Sequence, residues 1–111
     1  MSHIVHHCIV VTSWNGSDIR AAHDAAAACG LFTSPIIESP INAHFSFLVS
    51  PDGSGEGWDE SDAGDENREK FKAWLRGVRH EDGSSSLSWF EAAYSPDDRR
   101  AEIIEDEWED A

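Results

Sequence analysis

Bases are scarce in this chain: eight Lys and Arg stand against twenty-two Asp and Glu, and only two of the bases, Lys70 and Lys72, are lysines. Contact with phosphate depends on Lys and Arg, so direct binding of nucleic acid is excluded as an expectation. Long apolar runs are also missing, since no stretch of about eighteen such residues exists to cross a membrane. The opening Met-Ser-His-Ile-Val-His-His lacks the basic start, apolar run and small-residue cleavage site of a signal peptide. A cytoplasmic protein without membrane contact is expected. The two cysteines, Cys8 and Cys29, lie in apolar periodic segments without CxxC spacing, which points to buried reduced thiols. No GxSxG elbow, HExxH or zinc-finger spacing is present, so no catalytic residue, metal or cofactor is assigned.

What is there is a foldable chain with regional acidity. Its 111 residues fit one domain with a single core. Five Trp, five Phe and one Tyr argue against disorder despite the charge. Residues 1–50 hold three acids (Asp18, Asp24, Glu38) and one base (Arg20), whereas residues 51–111 hold nineteen acids and seven bases, so -12 of the net -14 falls in the second part. A charge magnitude of about 2 to 8 suffices for solubility in a small domain, and the surplus adds self-repulsion. Adaptation to a salty cytoplasm is one account of it. Salt adaptation should coat all solvated faces, however, and half of this chain is nearly neutral. A basic partner is the other account.

Residues 3–12, HIVHHCIVVT, are rich in β-branched side chains and predict a central strand. Asn-Gly-Ser at 15–17 supplies a turn with Ser17 as N-cap, Asp18 suits the helix dipole and Gly30 the C′ position, which predicts a helix over 18–29. SPIIES, bounded by Pro35 and Pro40, and AHFSFLVS predict a hairpin whose first piece is an edge. A second helix is expected from Asp62 or Asp65 to Arg76, with Phe71, Trp74, Leu75 and Val78 as its apolar stripe and Gly77 as its stop. LSWFEAAYS and AEIIEDEW, joined by Ser-Pro-Asp-Asp, predict a C-terminal hairpin. The resulting order is β-α-β-β-α-β plus an extra C-terminal strand: α+β, a ferredoxin-like split β-α-β sandwich with two helices on one face of a mainly antiparallel sheet. Residues 1–111 form one domain on this reading, ending in a short solvated tail, 109–111.

The stretch SPDGSGEGWDESDAGDENREKF, residues 50–71, packs eight carboxylates and four glycines into twenty-two positions. An EF-hand register begun at Asp59 breaks at Ala63, which cannot ligate, and at Lys70, which stands where the bidentate glutamate belongs. A weak divalent site from Asp52, Glu56, Asp59 and Asp62 is the remaining metal option. The carboxylates would repel any anion from Gly53, Gly55 and Gly57, so a phosphate cradle is excluded. Trp58 either pins this loop onto the second helix or presents an anchor for a partner.

The run HFSFLVSPDGSGEGWDESDAGDENREKFKAWL, residues 44–75, resembles segments of uncharacterised small acidic proteins encoded by phages and prophages. The resemblance implies a context: such products often act in the host cytoplasm by binding a host protein, defence nucleases and other nucleic-acid-binding machines among them. It implies no catalytic residue.

Electrostatics gives that context a mechanism. Proteins that hold DNA offer rows of Lys and Arg to its phosphates, and a compact acidic protein can occupy such a row, gaining steered association. Residues 102–110 hold six acids, and alternate positions of an extended strand lie about 6.8 Å apart, about twice the 3.4 Å phosphate rise. The expected partner is therefore a basic protein surface of a nucleic-acid-binding host protein, inhibited or modulated by a non-enzymatic nucleic-acid mimic. The expected docking residues are Asp52, Glu56, Trp58, Asp59, Glu60, Asp62, Asp65 and Glu66 in the first cluster, with Glu102, Glu105, Asp106, Glu107, Glu109 and Asp110 in the second. The alternative is a small-ligand or metal-assisted α+β enzyme using His6, His44 and the loop carboxylates. A homodimer through an open sheet face or edge strand is compatible with the architecture.

Overall fold

A run of β-branched side chains, Ile9 to Thr12, makes residues 6–13 the strand around which the rest assembles. The computed structural model describes residues 5–51, 59–79, 82–97 and 99–108, without the side chains of 59–61. Its elements are β1 (His6–Ser13), α1 (Gly16–Ala28), β2 (Ile37–Glu38), β3 (Phe45–Val49), α2 (Asp59–Gly77), β4 (Leu87–Ser95) and β5 (Arg100–Glu107). The five strands form one sheet in the order β2-β3-β1-β4-β5. Every neighbouring pair is antiparallel. The protein is thus α+β, with β1 central and both predicted hairpins present.

Register assigns each face. Ile9 pairs with Val49 and Glu91, and Val11 with Phe47 and Trp89. These side chains share one face, and on it Ile9, Val11, Phe47, Val49, Leu87 and Trp89 form a single core with Ile19, Ala22 and Ala26 of α1 and Phe71 and Leu75 of α2. Both helices therefore cover the same side. The alanines let the backbone of α1 approach the sheet, while Phe47 is met edge-on by His23 at 5.2 Å and by Phe71 at 6.3 Å between ring centres. Full burial of each large side chain contributes about 1.5–3 kcal/mol. The opposite face carries His6, Cys8, Val10 and Thr12 of β1 with their cross-strand partners.

Helix ends differ from expectation in an instructive way. The N-cap of α1 is Asn15 and not Ser17: Asn15 Oδ1 accepts from the backbone N–H of Ser17 at 2.9 Å and of Asp18 at 3.1 Å. Asn15 can do this because Ser13 Oγ holds its own N–H at 3.0 Å. The same Ser13 hydroxyl donates to Ser86 Oγ at 2.8 Å, and Ser86 donates onward to Asp18 Oδ2 at 2.6 Å. A buried hydroxyl relay thus ties the start of α1 to the end of the sheet. Gly30 takes the left-handed C′ position at φ 81°, as expected.

The second helix begins at Asp59, ahead of either predicted start. Gly64 lies buried inside it. On β5 the register shifts between Glu91 and Ala92: Glu91 faces Glu105, yet Ala92 faces Ile103, leaving Ile104 as an extra residue. This is a β-bulge.

The capping geometry yields a direct test by urea unfolding. Asn15→Ala should lower stability by about 1 kcal/mol, and Ser17→Ala should leave it nearly unchanged. The reverse order would restore Ser17 as the cap.

Candidate functional site

Arg68, Lys72 and Arg76 of α2 stand at helical spacing beside the apolar pair Phe71 and Leu75, and Arg79 follows two residues beyond the helix end. That spacing turns them toward β4 and β5. Opposite them, Glu91 shares a face with Leu87 and Trp89, and the register sets Glu105 beside Glu91 and Glu107 beside Trp89. Two carboxylates directly opposite on neighbouring strands repel. Lys72 resolves the conflict by standing between them, 2.6 Å from Glu91 Oε1 and 3.3 Å from Glu105 Oε1.

The pair at the centre is buried, with the side chains of Lys72 and Glu91 only 3% and 4% exposed. His7 Nδ1 donates to Glu91 Oε2 at 3.0 Å, and Arg68 Nε lies 3.6 Å from the same oxygen. Lys72 also meets Glu69 at 2.7 Å. Further along, Arg76 grips Glu105 with two hydrogen bonds of 2.6 Å each, the strong bidentate form. Arg79 pairs with Glu107, and Arg68 with Asp65.

Charge states follow from these neighbours. Burial pushes the Glu91 carboxyl up, but hydrogen bonds from His7 and Lys72 and the charge of Lys72 outweigh it and hold the group at about 2, against an ordinary 4.5. Burial pulls Lys72 down, while its bonds to Glu69 and Glu91 raise it above its ordinary value. The Arg76 guanidinium holds Glu105 below the usual carboxylate range. Glu91 and Glu105 are thus held as carboxylates and Lys72 as an ammonium at neutral pH.

The structure divides the expected docking residues into three groups. Glu105, Glu107 and Asp65 engage cations of the network, with Glu105 and Glu107 half-buried. Asp62, Glu66, Glu102 and Asp106 are exposed, and Arg100 lies 3.7 Å from Glu102. Asp52, Glu56, Trp58, Glu109 and Asp110 lie outside the described residues, as does the 109–111 tail, and of Asp59 and Glu60 only the helical backbone is described. Sequence reasoning did not find the ion-pair network. Its signal was the 68-72-76-79 spacing of cations along an apolar stripe, together with a glutamate inside the alternation of a core strand.

The two histidines of the enzyme alternative do not converge, and its loop carboxylates Asp52 and Glu56 lie outside the described residues. His6 opens β1, whereas His44 precedes Phe45, which pairs with Ser13 at the other end of β1; at about 3.3 Å per residue they are roughly 23 Å apart. His6 packs against Tyr94 at 5.1 Å, and His44 Nδ1 bonds the Asn42 carbonyl oxygen at 3.2 Å. Among the described residues no three His, Cys, Asp or Glu side chains gather as metal ligands. Among them, too, no helix is long and apolar enough to cross a membrane. A scan against protein-family models finds no match, and searches of curated proteins and of solved structures find none either.

Two outcomes test the network. Lys72→Met should cost about 3 kcal/mol in urea unfolding, because it strands a buried carboxylate, and adding Glu91→Leu should recover most of that loss. The pH dependence has a defined sign: Glu91 is depressed on folding, so its stabilisation is complete above about pH 4.5 and is lost as pH falls toward 2. That contribution is on the order of 3 kcal/mol, and Glu91→Gln should flatten the acid limb of the stability curve across this window.

Proposed function

We propose that this chain is a non-enzymatic acidic binding protein that docks on a basic surface of a nucleic-acid-binding protein and inhibits or modulates it. The observation that carries this reading is the separation of charge. The α2 network takes four of the eight Lys and Arg and five of the twenty-two carboxylates, Asp65, Glu69, Glu91, Glu105 and Glu107. Seventeen carboxylates then stand against four cations in the rest of the chain. Arg68 and Lys72 are buried between helix and sheet, with side chains 8% and 3% exposed, and Arg76 and Arg79 are matched at the exposed rim by Glu105 and Glu107, so all four are already paired and the surplus of carboxylates lies elsewhere.

Asp62 and Glu66 on α2, with Glu102 on the helix-facing side of β5, supply exposed carboxylates of the outer surface, and Asp106 is exposed on the opposite sheet face. The first three are the docking positions this reading favours among the described residues. Such a surface steers a basic partner at long range and loses hold as salt rises. The architecture is read here as ferredoxin-like. The order β2-β3-β1-β4, with β1 between the two strands that flank α2 in sequence, supports that reading, and β5 is the added strand. Phage or mobile-element origin rests on the resemblance of residues 44–75.

Binding to the heparin-retained fraction of a bacterial lysate, captured at about 50 mM salt, tests the proposal. Captured proteins should be displaced by duplex DNA and by salt at about 200 mM. The variant Asp62→Asn, Glu66→Gln, Glu102→Gln should bind at least tenfold more weakly at unchanged Tm. Capture indifferent to both DNA and this variant would overturn the reading.

A further inference from the structure

The sheet face turned away from the helices breaks the usual rule for an open antiparallel sheet. Such a face normally alternates to polar side chains where it meets water. Here Val10 lies between Leu48 and Phe90 across three strands, and Ala92 faces Ile103 on the next pair. Val10, Leu48 and Phe90 are absent from the core that the helices cover. Ile103 is 57% exposed. Among the described strand residues the one carboxylate of this face is Asp106, at its margin opposite Phe90. Thr12, Ser46 and Ser88 bound this apolar patch at one end and His6 and Tyr94 at the other; in a chain of net charge -14, a nearly uncharged face with an apolar centre is the exception that calls for an occupant.

We infer that this face is the dimer interface, its occupant a second copy of the chain seated face to face about a two-fold axis. Self-association needs a surface that does not repel itself, and among the described residues this is a broad face from which all strand carboxylates but Asp106 are withdrawn. A basic partner, by contrast, has little to recognise here. Size is adequate for a modest interface. Four strands about 4.8 Å apart and roughly 26 Å long present about 500 Å² of projected area, which side-chain relief raises toward the roughly 600 Å² per partner at the low end of stable complexes. Packed in this way, two copies form a four-layer α-β-β-α body. Both α2 helices, with Asp62 and Glu66, then point outward on opposite sides. The inference is independent of the identity of the basic partner.

Salt distinguishes the two contacts by sign. An apolar contact between two like-charged bodies tightens when salt screens their repulsion, whereas docking on a basic surface weakens. Sedimentation equilibrium from about 1 to 300 µM should show a species of twice 12.3 kDa whose dissociation constant falls at least threefold between about 0.05 and 0.5 M salt. Val10→Lys and Phe90→Glu should each return the mass to the monomer at all concentrations, with unchanged circular dichroism. Leu48→Lys, at the margin, serves if either of these fails to fold. A monomer throughout both salt conditions, or a dimer that survives all the folded face variants, overturns the inference. Capture of the heparin-retained fraction by a monomer would leave the proposed function standing while the dimer falls.

Discussion

Everything on the helical side of this sheet depends on one buried ion pair, Lys72 with Glu91. A carboxylate in the middle of a core strand is costly to dehydrate, and its cross-strand neighbour is a second carboxylate that cannot approach it without a cation between them. Lys72 fills that position, and so fixes where α2 lies along β4 and how far it is rotated. With α2 held there, Arg76 and Arg79 come within reach of Glu105 and Glu107, and Phe71 and Leu75 enter the core. Charge pairing and apolar packing impose the same register on one helix. Either alone would permit sliding by a turn.

Much of the architecture was legible before any coordinates. Alternation in LSWFEAAYS placed Leu87, Trp89 and Glu91 on one face, prolines confined Ile37 and Glu38 to an edge, and Gly30 marked the end of the first helix. The misses have physical reasons. Ser17 and Asn15 are both good caps, and the choice between them was made by Ser13, a tertiary neighbour whose hydroxyl holds the Asn15 N–H. The second helix starts at Asp59, ahead of Asp62, because a buried glycine such as Gly64 is tolerable inside a helix where the surrounding packing outweighs its backbone entropy. The docking residues were read as two acidic clusters, because a count of carboxylates does not show which have a cation waiting across a helix-sheet interface. Glu105 and Glu107 are such cases.

The molecule separates three kinds of surface that composition alone blends together. Arg68 and Lys72 are buried between α2 and the sheet with Arg76 and Arg79 paired at the rim, Asp62 and Glu66 expose carboxylates on the helical side, and Val10, Leu48, Phe90 and Ile103 lie on the far face of the sheet. Each arrangement constrains the others. Were these four cations unpaired on the outer surface, the same composition would present a mixed exterior, and Glu91 would lose Lys72 and Arg68.

The bulge at Ile104 gives this separation its hinge in sequence. A strand without interruption sends odd and even positions to opposite sides, so Glu102 and Glu105 could not both look toward the helices. One supernumerary residue resets the parity of β5 partway along. Before the reset, even positions face α2; after it, odd positions do. Ile103 and Asp106 are thereby directed to the far side from either half. The strand is in effect two short words joined by a spacer, and its two halves can change independently: the first under the demands of the open face, the second under those of the ion pairs.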